Sequence, residues 1–286
     1  MSRFLLGGSR PRLLSLVLRL LVMAAAGITM LLIVFLFGYI LVKGIPSLYP
    51  DLFSLEYTSE NVSLFPALVN TVVITLAALL AAVPVGICAA IWLAEYSRRG
   101  NRLILLVRLA AETLAGIPSI IYGLFGMLLF VIFLGWGYSL LAGAFTLAIM
   151  VLPVIMRTTE NALLSVPDSF REGSFALGAG KLRTIFSIVL PAAMPGILSG
   201  VILSIGRIVG ETAALIFTAG TVAKMPDSPF ASVRTLAVHM YSLSSEGFHI
   251  KQSYATAVVL LVLVVGINAL AGMGAKKLGA DGTKQG

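Results

Sequence analysis

The chain has 286 residues, 59% of them hydrophobic and 11% charged, with a mean hydropathy of +1.03 and a formal net charge of +8. Soluble globular domains carry about a quarter charged residues, so these values exclude a soluble enzyme, a disordered tail and a disulfide scaffold. The single cysteine, Cys88, lies in an apolar run; it allows neither an intramolecular disulfide nor a zinc cluster and reads as a small packing residue.

A helix needs ~20 residues to cross ~30 Å of hydrocarbon. Six apolar stretches reach that length, at 13–42, 67–94, 103–133, 138–156, 184–218 and 253–275, which predicts an all-α polytopic membrane protein. The first begins like a secretory signal, with Arg10 and Arg12 before an apolar run and small residues at Ala24–Ala26. The apolar run continues to about Val42, too long for a cleaved signal, so a retained anchor is expected. Residues 1–60 then form an N-terminal segment, first helix and external loop, and 61–286 the main membrane domain. Pro84, Pro118, Pro153, Pro191 and Pro195 fall inside apolar segments. Each removes a backbone donor and is expected to kink or break its helix, which suits a pathway that rearranges better than a passive anchor. Arg108 and Glu112, spaced i, i+4, read as a structural pair. Arg157 closes the fourth span, either as the inner end of an anion path or as a topology anchor.

The loop between the fourth and fifth spans reads Pro167-Asp168-Ser169-Phe170-Arg171-Glu172-Gly173-Ser174-Phe175-Ala176-Leu177-Gly178-Ala179-Gly180. Asp168 or Ser169 is a helix cap, Arg171 to Leu177 are compatible with helix, and Gly178 and Gly180 stop it. Phe170, Ala176 and Leu177 are apolar in a segment that should be aqueous, so this short helix reads as one that docks into a partner's groove. In the fifth span, Arg207 lies about 16 Å inside an outer end at residue 218, near mid-bilayer. An ionised side chain there costs roughly 2.5–3.5 kcal/mol on insertion scales. Arg207 and Glu211 share one helix face at i, i+4, either as a mutually neutralising pair or as an anion waypoint, since a guanidinium offers forked donors to an oxyanion. In the 219–252 loop, Val233, Leu236, Ala237, Met240 and Tyr241 recur at helical spacing, which predicts a short amphipathic helix on or in the outer membrane face. His239 and His249 lack a metal-ligand set and read as ordinary loop residues.

Orientation follows from the basic residues. Fifteen of twenty lie in the N-terminal segment, the 95–102 loop with Arg108, the 157–183 loop and the C-terminal tail. Lys43, Lys224, Arg234 and Lys251 lie opposite, and Arg207 lies within a span. Both termini and the 157–183 loop are therefore expected in the cytoplasm. The positive balance is a topology signal, and no nucleic-acid partner is expected.

The loop also resembles that of permease subunits of bacterial binding-protein-dependent ABC importers. That family carries Glu-Ala-Ala, a Gly six residues after the Glu, and Ile-x-Leu-Pro ten residues later; this chain has Glu172, Gly178 and Ile188-Val189-Leu190-Pro191 at those spacings. Gly173-Ser174 replaces the usual Ala-Ala, both small. Further segments are similar to phosphate permeases: Gly116-Ile117-Pro118-Ser119 through Gly126, Leu152-Pro153 through Glu160, and Gly206-Arg207-Ile208-Val209-Gly210-Glu211-Thr212-Ala213. The Gly-Glu-Thr-Ala form is closer to the PstA-type subunit than to its PstC-type partner, and Ala214 stands where Pro is common.

The resemblance covers about 65–275 and implies a MetI-like core and a phosphate import complex in a bacterial inner membrane. Such a complex would have a second, PstC-type permease, two copies of a cytoplasmic ATPase and an extracytoplasmic phosphate-binding protein. Within the coupling loop 160–183, Glu172, Gly173, Ser174, Phe175, Ala176, Leu177 and Gly178 would seat in the ATPase. Arg207, Glu211 and Arg157 would line the substrate pathway. The chain has no GxxxxGK[ST] phosphate loop, so ATP and Mg would sit on the partner ATPase and no cofactor or enzymatic activity is expected here. Rival readings are the same architecture for molybdate, tungstate or sulfate, and an ATPase-independent channel or secondary carrier.

Overall fold

Lipid offers the backbone no hydrogen-bond partners, so spanning segments satisfy their own N–H and C=O groups as helices. The computed structural model describes residues 10–97 and 102–283, and every regular element among them is helical. In chain order these are α1 (Arg10–Gly44), α2 (Phe65–Ile91), α3 (Arg102–Ala115), α4 (Ser119–Gly126), α5 (Leu140–Leu164), α6 (Asp168–Ala176), α7 (Lys181–Thr184), α8 (Leu190–Val209), α9 (Ala213–Ile216), α10 (Leu236–Glu246) and α11 (Ile250–Thr283), with two 3-10 turns between α1 and α2. Of the basic residues that set the expected orientation, Arg3, Arg98, Arg99 and Lys284 lie outside the described residues.

Five helical rods are long and apolar enough to cross a membrane. The expected third span, 103–133, is not one of them: it is two helices meeting at 102°. Pro118 cannot continue α3 because it lacks an N–H, and the Tyr122 hydroxyl donates to the Leu114 carbonyl at 2.7 Å, tying the two sides of the bend. Counting the bent pair as one span restores six. Pro118 sits at a break, but Pro84, Pro153 and Pro195 lie inside continuous helices, and Pro191 occupies the first turn of α8. The irregularities that the prolines suggested are carried instead by π-helical stretches at Trp92–Tyr96, Met127–Phe133 and Ile185–Val189, a form found often at functional sites.

The core lies where α2, α5 and α8 meet, with Ile74, Ala78, Leu147, Val151, Ile155 and Ile208 fully or almost fully buried. Small residues let these helices approach closely. A Cβ on Gly86 would meet Ile155, one on Gly196 would meet Ala162, and one on Gly200 would meet Thr158. α1 stands apart: its apolar stretch from Leu14 onward is unburied within the chain, and it packs on α11 near its C-terminal end, where Gly44 lies against Tyr254 and Val258.

α10 corrects one expectation. Leu236, Ala237, Val238, His239 and Leu243 are buried against the protein, while Tyr241 is exposed. The helix is therefore wedged beside α11 rather than laid on the membrane, and His239 belongs to its buried face. Burial and the nearby Arg234 charge push the His239 pKa down to about 3, against a smaller opposite effect of the Val62 backbone.

Candidate functional site

Two regions carry the residues of functional interest: the α6 turn at one end of the bundle, and the charged groups within it.

α5 ends at Leu164, and Pro167 directs the chain into α6. The N-cap is Pro167 itself, with no side-chain cap bond; Asp168 instead occupies the first turn, where a negative charge suits the helix dipole. Leu177 N–H and Gly178 N–H donate to the Gly173 and Phe175 carbonyls, and Ala179 N–H to Ser174. Gly178 has φ +79, the left-handed angle that ends a helix this way. Gly173 and Ser174 play different parts. A Cβ on Gly173 would meet nothing within 4 Å, whereas Ser174 is buried with its hydroxyl 2.8 Å from that of Thr184. Close packing thus depends on position 174.

The outer side of α6 is apolar and open. Phe170 and Phe175 are about half exposed and Leu177 is 90% exposed. Phe170, Gly173, Leu177, Gly178, Arg183 and Ile188 line a groove of about 500 Å³. Glu172 and Ala176 also face outward. Arg171 points the opposite way and anchors the helix. Its Nε and Nη2 donate to Glu95 Oε1 at 3.1 and 2.7 Å, its Nη2 to the Leu163 carbonyl at 2.9 Å, and its Nη1 to the Val166 carbonyl at 2.8 Å. Both side chains are largely buried, 14% and 9% exposed. One guanidinium thereby joins α6 to the ends of α2 and α5. Sequence reasoning missed this tie because Glu95 lies 76 residues away and no local pattern links the two.

In the expected fifth span, the rod from Lys181 stops at Val209. Gly210 to Thr212 break it, and α9 carries the chain on until the Thr218 carbonyl accepts from Ser139 N–H at the start of α5. The expected helix end at residue 218 is therefore corrected: the continuous helix closes nine residues earlier, at Val209, and a count of helical rise back from 218 does not apply to Arg207. Gly196 lies against Ala162 and Gly200 against Thr158. Continuing that antiparallel register puts Arg207 level with Val151, near the middle of α5. Arg207 is half-buried and has no carboxylate within 4 Å among the described residues. Of the two alternatives for Arg207 and Glu211, the mutually neutralising pair does not form, because Glu211 lies past the helix end. Its Oε1 instead accepts from Ala214 N–H at 3.1 Å, capping α9.

The remaining charges cross-pair between helices. Arg108 on α3 reaches Glu160 on α5 at 2.6 Å, and Glu112 on α3 meets Arg157 on α5 at 3.4 Å. The expected pairing of Arg108 with Glu112 is replaced by these two bridges. Arg157 is thus engaged at the surface of α5, about 9 Å along the bundle from the level of Arg207, judged by six residues of helical rise at ~1.5 Å each. Arg157 and Arg207 do not form a common cluster.

The sequence matches the family described as binding-protein-dependent transport system inner membrane component over residues 82–278. It is 34% identical over 283 residues to the probable ABC transporter permease protein YqgI of Bacillus subtilis (strain 168), covering 90% of this chain and 94% of the relative. It is 37% identical over 238 residues to the phosphate transport system permease protein PstA of Haemophilus influenzae, covering 80% and 82%. Among solved structures, a chain of a bacterial ABC transporter involved in alginate import superposes with a TM-score of 0.64 at 16% identity, covering 93% of this chain and 99% of that one. A chain of the inward-facing MetNI methionine transporter gives 0.58 at 20%, covering 85% and 97%. These structures share the fold.

Proposed function

Since the chain belongs to the binding-protein-dependent transport system inner membrane component family, we propose that it is a permease subunit of an ATP-driven phosphate importer, forming half of the transmembrane anion pathway with a second, PstC-type permease. The observation that carries this reading is the likeness, across four-fifths of both chains, to a protein named as a phosphate permease. The α6 surface supports the coupling role. Phe170, Phe175 and Leu177 present apolar area to water, and Glu172 and Gly178 hold the register of the family's loop. This is the surface of a helix that docks into a groove, here on a cytoplasmic ATPase that holds ATP and Mg. An extracytoplasmic binding protein delivers substrate to the opposite end.

Arg207 supports the anion path. Arg207 stands level with the middle of α5 without a carboxylate within 4 Å among the described residues, so its forked donors are available to a phosphate oxygen pair. Glu211 acts beside it, in the break that follows α8. Transport then proceeds by alternating access: closure of the ATPases moves α6, Arg171 passes that displacement to α2 and α5, and the α8 break shifts around Arg207. Arg157, bound to Glu112, serves as an anchor of α3 on α5. The chain breaks no covalent bond in this scheme.

The test is uptake of labelled phosphate into vesicles carrying the assembled complex, with ATPase co-purification in parallel. Leu177→Asp should abolish ATPase retention and uptake together. Arg207→Ala should retain the ATPase but reduce phosphate uptake at least tenfold, the loss of one charge-assisted hydrogen-bond pair worth ~1.5–3 kcal/mol. Full uptake by Arg207→Ala would refute the waypoint, and uptake of molybdate or sulfate in place of phosphate would reassign the substrate.

A further inference from the structure

A second charged locus lies where α1 ends and α11 begins, far along the chain from the groups discussed above. Tyr39, Lys43, Ser47, Lys251 and Tyr254 line an open cavity of about 440 Å³ there, and no carboxylate is part of its wall. Neither lysine ammonium has an ion-pair or hydrogen-bond partner among the described residues. The two tyrosine hydroxyls lie 3.4 Å apart and their rings meet edge to face at 5.9 Å. Gly44 makes this possible: a Cβ there would strike the Tyr254 backbone and Val258, so only glycine lets the two helices converge and bring both lysines to one rim.

Depth and surroundings identify the ligand. Tyr39 and Tyr254 stand about one turn inside the two lysines, the arrangement of side chains at a bilayer's headgroup level. Below them, α1 exposes Leu32, Phe35 and Leu36, and α11 exposes Val262 and Val265. A ligand with its negative charge between the lysines therefore has an apolar track leading from that charge into the hydrocarbon. We propose that this cavity binds the phosphodiester headgroup of an anionic phospholipid, with the acyl chains lying along α1 and α11. Basic pockets between membrane helices on the cytoplasmic side suit such headgroups; on the opposite side, where the charge balance puts Lys43 and Lys251, the same pairing of ammonium with phosphodiester would serve a lipid of the outer leaflet. Because α1 otherwise packs on the bundle near one end, the lipid would also hold α1 against α11.

The experiment uses the full chain in vesicles of phosphatidylcholine alone or mixed with phosphatidylglycerol, followed by native mass spectrometry of retained lipid. Wild type should retain phosphatidylglycerol in preference to phosphatidylcholine. Lys43→Gln/Lys251→Gln should lower that preference about 30-fold, taking ~1 kcal/mol for each lysine near the surface, and Lys43→Arg/Lys251→Arg should restore it. Lys224→Gln, which removes an ammonium lining a different cavity, should leave it unchanged. Equal retention of the two lipids by wild type would overturn the proposal, as would an unchanged preference in the double glutamine variant or an equal loss in Lys224→Gln. A further arm adds inorganic phosphate to the vesicles: displacement of phosphatidylglycerol at millimolar phosphate would reassign the cavity to the free anion.

Discussion

Arg171 offers the most direct test of how force would leave the α6 turn. Replacing it with Ala deletes the two bonds to Glu95, the two to the Leu163 and Val166 carbonyls and an exposed one to Asp168 at 3.3 Å, and it leaves the Glu95 carboxylate, 9% exposed, without its cation. Breaking a buried pair by removing one partner costs ~3–5 kcal/mol. At roughly 2–4 °C per kcal/mol for a chain of this size class, thermal unfolding of the detergent-solubilised protein should fall by about 6 °C or more. Arg171→Lys keeps the charge but cannot reach three acceptors at once, so it should lose roughly 2 kcal/mol, near 1 kcal/mol for each bond forfeited. The double replacement Arg171→Met/Glu95→Leu removes both desolvated charges, and apolar substitution of a buried pair is often neutral or better. That variant should unfold near the wild-type temperature and yet transport poorly, with ATP hydrolysis continuing, because the rigid link from α6 to α2 and α5 is gone. An Arg171→Ala variant as stable as wild type would refute the energetic argument. A stable double variant with normal uptake per ATP would refute the transmission role and leave the tie as architecture alone.

Three further predictions concern separate elements. Glu211→Gln keeps an oxygen to accept from Ala214 N–H, so its melting temperature should match wild type while Glu211→Ala loses ~0.5–2 kcal/mol of capping; any change of phosphate uptake in the Gln variant then reports the charge alone. His239 is neutral when folded, with a pKa near 3 against 6.5 for the free side chain. The unfolded chain therefore takes up a proton first as pH falls, so this residue's contribution is complete above pH 6.5 and is lost from 6.5 towards 3 by about 1.4 kcal/mol per pH unit. His239→Phe should flatten that limb in thermal scans across the range. At Gly123 an added Cβ would sit 2.8 Å from Ala214 Cα, whereas at Gly116 the nearest atom is 3.5 Å away. Gly123→Val should therefore cost ~1–3 kcal/mol by forcing α4 from α9, while Gly116→Ala should fold with normal yield, both read by melting temperature.

The membrane class and most of the span positions were legible because hydrocarbon imposes one simple rule, a long apolar run satisfied as helix. The α6 helix and its stop at Gly178 were legible for a local reason as well, since caps and left-handed glycines act within one turn. Proline misled because it removes one hydrogen bond without dictating whether a helix bends. Pro153 stays within α5, while Pro118 coincides with a 102° turn. The buried face of α10 was illegible for a different reason: alternation of polar and apolar residues does not tell lipid from protein as the burying medium, and His239 is packed among residues from distant parts of the chain.

Charge pairing fails in sequence at the point where helix geometry stops being local. The i, i+4 rule makes Arg108 a neighbour of Glu112, yet at this spacing an ion pair is worth only ~0.2–0.5 kcal/mol. Two helices packed side by side can take both charges from it, and α5 does so with Glu160 and Arg157. The same rule makes Arg207 a neighbour of Glu211, and a helix that ends at Val209 cancels it. These outcomes separate the cations. Arg108, Arg157 and Arg171 each find a carboxylate, and each joins two parts of the framework. Arg207 sits level with the middle of α5 and finds none among the described residues. An intramembrane charge must be offset by protein, water or a ligand, and under the transport role proposed above a passing anion would supply that offset for Arg207.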